Sequence, residues 1–151
     1  MPDKREEFIG TCDVKVRLVR TEADLTQEEM AYALGISKKT LVDIEKGRRT
    51  LGWTGSVALC AVFPNSDVIS AAFGGSPAEM IPALARTGQP IPQPESSGNP
   101  WWQVVAENET FTIEQNIISQ HFRLLTKDRL KVAASFDIDD LIPLFSGQTK
   151  E

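Results

Sequence analysis

Residues 26–47, TQEEMAYALGISKKTLVDIEKG, contain two short helical patterns that meet at a glycine. Thr26 suits the cap of the first helix, because its hydroxyl can accept from a free backbone N–H while Glu29 reaches back. Gly35 then allows the positive φ that a tight helix stop requires. Ser37 is the next cap, and the closing glycine ends the second helix. The stretch predicts two helices joined by a short turn.

Each of the two helices has one apolar side. The residues that form these sides are Met30, Ala31 and Leu34 in the first helix, and Leu41 and Ile44 in the second. Two lysines lie exposed directly after the second cap. This arrangement is the helix-turn-helix unit, whose second helix fits the major groove of DNA.

Three segments of this region resemble the phage-repressor/Cro-type (XRE) helix-turn-helix family, at residues 26–31, 34–37 and 44–49. The resemblance extends over about residues 14–73 and implies the five-helix module of that family. Residues 48–53 depart from the common pattern, because they lack the usual proline and place the large Trp53 where a fourth helix begins.

The resemblance also implies a set of DNA-contacting side chains, which are Gln27, Ser37, Lys38, Lys39, Thr40, Asp43, Lys46, Arg48 and Arg49. Lys38, Lys39 and Asp43 would face base edges, where lysine suits guanine and a carboxylate suits cytosine. Gln27 and Ser37 would hold the DNA backbone at helix starts. The basic residues after the helix would contact phosphates. An ordinary solvated lysine surface is the alternative for each of them.

One ion pair is also implied by the resemblance. In this family an arginine of the first helix pairs with a glutamate near the end of the third, and the corresponding residues are Arg20 and Glu45. Such a pair would hold the two helices together, and breaking it from one side would be costly.

The charge distribution bears on the kind of partner. The length of 151 residues suits one domain or two very small ones. Of these residues 41% are hydrophobic, and the net charge of the chain is −5. Residues 36–50 nevertheless carry +3, whereas residues 74–151 carry −4. An acidic chain with one basic helix indicates a DNA binder that depends on dimerisation rather than on bulk charge.

Other functional classes have little support in the sequence. No apolar run is long enough for a membrane helix and the N-terminus lacks a signal-peptide core, so a cytoplasmic protein is expected. Cys12 and Cys60 are expected to be free thiols rather than a disulfide or a redox switch. No catalytic, metal-binding or cofactor-binding motif is present, so we expect neither an enzyme nor a cofactor.

Several conspicuous side chains have ordinary structural interpretations. The acidic residues of the segment 137–140 are predicted to cap a helix rather than bind a metal. His121, the only histidine, is expected to be structural or at the surface. Trp101 and Trp102 are predicted to anchor the core of a sheet, with a dimer contact or a small-molecule pocket as the alternative.

Four segments describe the expected organisation. Residues 1–12 are predicted as a loose leader and residues 13–73 as the DNA-binding domain. Residues 74–100 are predicted to hold a short helix, which begins at the Ser76 cap and runs to about Arg86, and a Pro-rich linker.

The first helix is predicted to begin at the cap Asp13, with Val14, Leu18 and Val19 facing inward. The fourth, at about residues 54–63, is nearly all apolar and is predicted to be buried on most sides, either as a central core helix or as a dimer contact. Asp67 is predicted to cap the fifth.

Beyond the linker, residues 101–151 change to a hydrophobic period of two. The alternation predicts a small antiparallel meander of three or four strands, with turns at 108–109 and 126–128 and a closing helix at 137–145. On the last strand the predicted apolar side consists of Leu130, Val132, Ala134 and Phe136. The expected fold class is therefore α+β.

These expectations combine into one functional hypothesis. They describe a sequence-specific double-stranded DNA-binding transcriptional regulator, acting as a homodimeric repressor. The small C-terminal region would supply the dimer contact or bind a small-molecule or protein effector. The alternative is an antitoxin-like protein, whose C-terminal region binds a protein partner while the N-terminal module represses its own operon.

Overall fold

The chain forms two compact units, which divide between Pro92 and Gln93. The computed structural model describes residues 3–86 and 100–147, so most of the predicted Pro-rich linker lies outside the described residues. The described helices of the first unit are α1 (Lys4–Glu22), α2 (Gln27–Leu34), α3 (Lys38–Glu45), α4 (Gly52–Val62), α5 (Asp67–Phe73) and α6 (Met80–Ala85). Those of the second unit are strands β1 (Trp102–Glu107), β2 (Phe111–Asn116), β3 (Phe122–Thr126) and β4 (Lys131–Ser135), a 3-10 helix (Ile138–Asp140) and α7 (Ile142–Phe145). The α+β class is confirmed.

Helix α1 begins well before the predicted position. Asp3 is its cap and accepts from the backbone N–H of Arg5 at 3.1 Å, so residues 4–12 are helical and the predicted leader is wrong. Asp13, the predicted cap, lies inside the helix. Its carboxylate instead accepts the backbone N–H of Leu51 at 2.7 Å and ties α1 to the start of α4.

The longer helix also has a different buried face. Its buried residues recur at intervals of three or four and are Phe8, Cys12, Val16 and Val19. Val14 and Leu18, predicted to face inward, are 73% and 50% exposed. The prediction was wrong for these two because it took the helix to start nine residues too late, at Asp13 rather than Lys4.

Helices α2 and α3 have the predicted local chemistry. The Thr26 hydroxyl accepts from the backbone N–H of Glu29 at 3.1 Å, and the Glu29 carboxylate accepts from that of Thr26 at 3.0 Å. Gly35 ends α2 with φ 74°, and the Ser37 hydroxyl begins α3 by accepting from the backbone N–H of Thr40 at 3.0 Å. The side chains predicted to be apolar contacts, including Leu41, are buried.

Helices α4 to α6 begin at somewhat different residues than predicted. Helix α4 begins at Gly52 and buries Leu59 but leaves Val62 44% exposed, so within one chain it is not a central core helix buried on most sides. Its use as a dimer contact stays a prediction. The cap of α5 is Ser66, whose hydroxyl accepts from Ile69, and not Asp67. Residues 77–79 form a turn, and α6 begins only after it.

An aromatic cluster explains the unusual Trp53. The Phe8 ring lies 5.7 Å from Trp53 and 5.3 Å from Phe73, measured between ring centroids. The guanidinium of Arg5 lies 4.2 Å above the Trp53 ring. Trp53 therefore packs against the N-terminal half of α1, which the sequence did not reveal as helical.

The second unit contains an antiparallel meander in the order β1-β2-β3-β4, as predicted. Ile113 pairs with Leu124, which pairs with Ala133, and this row lies on one face of the sheet. The 3-10 helix and α7 cover that face with the buried Leu141, and Asp137 caps the 3-10 helix as predicted.

The predicted face of β4 is wrong. Ala133 packs on the core, whereas Val132 is 40% and Phe136 is 76% exposed. Leu124 pairs with Ala133 but Leu125 pairs with Lys131, so Val132 is an extra residue on β4, and a bulge of this kind changes which residues face the core.

Candidate nucleic-acid interface

Helix α3 presents a basic side to solvent. Leu41 and Ile44 bury its opposite side in the core of the first unit, at 0% and 2% exposure. The lysines that follow the Ser37 cap are therefore directed outward, and both Lys38 and Lys39 are exposed. Because the start of a helix also offers free backbone N–H groups, this end of α3 favours an anionic partner.

Arg20 and Glu45 fix the position of this helix. The Arg20 Nε donates to one carboxylate oxygen of Glu45 at 3.1 Å, and one terminal nitrogen donates to the other at 2.9 Å. The remaining terminal nitrogen donates to the carbonyl of Leu25 at 3.1 Å. Both side chains of the pair are largely buried, so the two-bond geometry joins α1, the turn before α2 and α3 in one arrangement.

The loop after α3 lies next to the start of the helix. Arg49 donates to the Thr40 hydroxyl oxygen at 3.3 Å, and the Ser37 hydroxyl donates to the same oxygen at 2.9 Å. The Ser37 hydroxyl is thus engaged in the helix cap and with Thr40. The backbone N–H groups at the start of α3 are therefore more available to a phosphate than this side chain.

Glu28 also belongs to this surface, although it was not among the predicted site residues. Its carboxylate lies 3.2 Å from the Lys38 ammonium, and both side chains are more than half exposed. The neighbouring Glu29 is engaged in the α2 cap, where hydrogen bonds from Thr26 lower its pKa. The two adjacent glutamates therefore have different roles, since Glu28 faces Lys38 of α3 and Glu29 holds the start of α2.

A further basic residue also lies near the loop. Arg17 of α1 lines an open groove with Lys46 and Arg49. Arg17 was not among the predicted site residues. Had the helix been predicted to start at Lys4, Arg17 would have been placed on its exposed face, together with Val14.

The residues implied by the resemblance lie together on one part of the first unit: at the start of α2, along α3, and in the loop 46–49. Lys46, Arg48 and Arg49 are exposed, while Gln27 and Asp43 are half-buried. Their contacts with a duplex stay predictions.

The two thiols have no part in this surface. Cys12 and Cys60 are buried and not disulfide-bonded. A hydrogen bond with Cys60, together with burial, raises the pKa of Cys12 well above its ordinary value, so its thiol stays protonated.

Two further findings concern the described residues only. None of them form a cluster of three or more His, Cys, Asp or Glu that could hold a metal ion. No helix in the described part of the chain is both long and apolar enough to span a bilayer.

Comparison with known proteins gives one match. Residues 14–63 match the family model described as a helix-turn-helix domain. The match begins inside α1 and ends just after α4, so it contains the whole candidate interface. No curated protein and no solved structure matches the chain. The helix-turn-helix domain is therefore supported by sequence family and by geometry together.

Proposed function

We propose that this chain is a sequence-specific double-stranded DNA-binding transcriptional regulator of the XRE type, acting as a homodimeric repressor in the cytoplasm. The observation that carries the proposal is the exposed, Ser37-capped α3 with Lys38 and Lys39 at its start, within a matched helix-turn-helix domain. In this role the protein binds DNA and catalyses no reaction.

The described geometry suits this activity. A recognition helix enters the major groove by its N-terminal residues, which in α3 are the two exposed lysines. The bidentate contact between Arg20 and Glu45 keeps α3 in a fixed orientation, so the lysines meet base edges in one register. The exposed Arg48 and Arg49 then reach the phosphates that flank the groove.

Two copies would read a two-fold operator. One recognition helix contacts only a few base pairs, and two such helices about 34 Å apart contact two half-sites on one face of the duplex. The net charge of −5 of the whole chain makes this bivalent contact more important, since bulk attraction between DNA and an acidic chain is weak.

Binding-site selection from random duplexes tests the proposal. The full chain should enrich a short two-fold motif, and its affinity for that motif should fall steeply with added salt. A pool that stays random after several rounds, with no duplex retained at low salt, would contradict it.

The C-terminal unit as a site for a small-molecule or protein effector stays a prediction. The antitoxin-like alternative shares the DNA-binding module and differs only in this unit. It is distinguished by a partner protein that co-purifies in fixed proportion with the full chain.

A further inference from the structure

An open groove separates helix α1 from the end of α3 and the loop that follows it. Its volume is about 690 Å³, within the range of about 300–1,000 Å³ that is usual for ligand sites, so it has room for a phosphate group and the sugars next to it. One wall belongs to α1 and consists of Gly10, Asp13, Val14, Arg17 and Leu18. The other wall consists of residues 44–47 and Arg49. We call this space the loop groove.

Three basic side chains line the loop groove. Arg17, Lys46 and Arg49 are all exposed to solvent. The Arg17 guanidinium has no hydrogen bond or ion pair with any other residue that the structure describes. One terminal nitrogen of Arg49 donates to the Thr40 hydroxyl oxygen at 3.3 Å. Most of the N–H donors of these three side chains are therefore available to an anion from outside the chain.

The two carboxylates of the loop groove are both engaged within the chain. The oxygens of Glu45 accept from Arg20 at 3.1 and 2.9 Å, so a cation of α1 neutralises this acid. Asp13 accepts the backbone N–H of Leu51 at 2.7 Å. With Arg20 included, four basic side chains and two carboxylates give the groove a net charge of +2. The groove therefore attracts an anion, although the whole chain carries −5.

The α1 wall of the loop groove also has apolar parts. Val14 is 73% and Leu18 is 50% exposed, and both lie beside Arg17 on one side of the helix. Gly10 continues this side, and a Cβ added there would meet nothing within 4 Å, so this part of the wall is open. A sugar-phosphate backbone presents carbon atoms as well as charged oxygens. It therefore suits a wall that carries both apolar and basic side chains.

The loop groove is continuous with the candidate interface. Arg49 lines the groove, and its contact with Thr40 places it beside the start of α3. A DNA strand whose phosphates contact Lys46 and Arg49 therefore lies at the opening of the groove that Arg17 also lines. We propose that the loop groove holds a phosphate of the bound duplex, with Arg17 as a further phosphate contact. This inference rests on the proposed function and adds α1 to the surface that positions the duplex.

Arg17→Gln in the full chain tests this role, with Lys15→Gln as its matched control. Both variants remove one positive charge from α1, but Lys15 lies about 160° around the helix from Arg17 and does not line the groove. Each phosphate contact contributes about 0.9 to the slope of log affinity against log salt concentration, so Arg17→Gln should reduce that slope by about 0.9. At ~0.1 M salt it should weaken binding to selected and random duplexes about five- to tenfold, whereas Lys15→Gln should change either affinity by less than about twofold.

Ethylation interference on the selected duplex identifies the phosphate. Ethylation of one phosphate in each half-site should weaken binding of the wild type but not of Arg17→Gln, because the variant already lacks this contact. Gly10→Glu and Gly10→Gln form a second matched pair, since they add side chains of the same size to the open wall and differ only in charge. Gly10→Glu should bind both duplexes at least about fivefold more weakly than Gly10→Gln. Melting followed by circular dichroism checks that each variant is folded.

The outcomes separate this inference from the proposed function. An equal loss of affinity and slope in Arg17→Gln and Lys15→Gln would show a general charge effect and overturn the inference. Duplex binding that Arg17→Gln leaves unchanged would also overturn it, and inorganic phosphate that binds the wild type but not this variant would then assign the groove to a free anion. If the wild type retains no duplex at low salt, the proposed function fails. If it selects a two-fold site and Arg17→Gln keeps the wild-type salt slope, only the inference fails.

Discussion

Substitutions in α3 and in the loop after it are expected to separate base contacts from phosphate contacts. Lys39 lies at the exposed start of the helix and Arg48 in the loop after it. We expect Lys39→Ala to weaken binding to the selected site by about 1–3 kcal/mol and to relax preference at one base pair. Arg48→Ala should weaken all duplexes alike and reduce the salt slope by about one. Titrations against selected and random duplexes at several salt concentrations measure both, and an equal loss on both duplexes for Lys39→Ala would refute its base contact.

Glu28 should limit non-specific binding. Its carboxylate neutralises Lys38 at 3.2 Å in the free protein and would lie near DNA phosphates in the complex. Because exposed pairs are worth about 0–1 kcal/mol, Glu28→Gln should raise affinity for random duplex by about threefold and leave the melting temperature unchanged. Glu7→Gln is the control, since Glu7 forms a similar exposed pair with Lys4 at 3.2 Å, at the start of α1. The same gain in both variants would show a general charge effect instead.

Strand β2 depends on one buried carboxylate. Glu114 accepts hydrogen bonds from Arg123 at 2.7 Å and from Arg129 at 3.1 Å, and Arg123 in turn stacks 3.7 Å from Trp102. Burial by itself raises the pKa of Glu114, but the hydrogen bonds from the two arginines outweigh it and lower the pKa below its ordinary value. At a pH above the pKa that Glu114 has in the unfolded chain, the carboxylate therefore contributes its full stabilisation. This stabilisation is lost as the pH falls through the lower pKa that Glu114 has in the folded protein.

Glu114→Gln should destabilise the sheet by about 2–3 kcal/mol at neutral pH, because it leaves buried arginine charge unpaired. The difference from wild type should shrink as the pH falls below about 4. Amide hydrogen exchange of β2 and β3 measures the free energy for this unit alone. Glu107→Gln breaks the exposed pair with Lys127 and should cost under about 1 kcal/mol. A pH-independent difference for Glu114→Gln would argue against the carboxylate as its source.

At the scale of elements, the features that the sequence predicted best are those set by residues close together in the chain. The caps of α2 and α3 are set by residues three positions apart, such as Thr26 and Glu29, and these were predictable. The cap of α1 is equally local, since Asp3 accepts from Arg5, and it was overlooked. The packing of Phe8 against Trp53 and the bulge that sets the face of β4 involve distant partners.

The same limit applies to the tryptophans. Trp101 and Trp102 were predicted as core anchors, but Trp101 is 50% exposed and Trp102 stacks on Arg123 outside the buried cluster. Neither the stacking nor the buried Glu114 is visible in a period-two pattern, because such a pattern records polarity and not the partner across the sheet.

At the scale of the whole molecule, the described part of the first unit contains its own core. Every residue of the buried cluster around Met30 and Leu59 lies between Phe8 and Ile69, and the partly buried residues against it extend only to Leu84. A chain that ends at residue 86 should therefore fold and keep its Arg20–Glu45 contact.

Such a truncated chain should bind a half-site but not read a two-fold operator. Without the C-terminal unit the two recognition helices are no longer linked, so the avidity of the second contact is lost and affinity for the full site should fall at least about a hundredfold. Binding to a single half-site should stay nearly the same, which makes it the internal control for folding. Site selection with the truncated chain should then enrich half-sites at random spacing. Enrichment of two half-sites at the wild-type spacing would instead place the dimer contact within the helical unit.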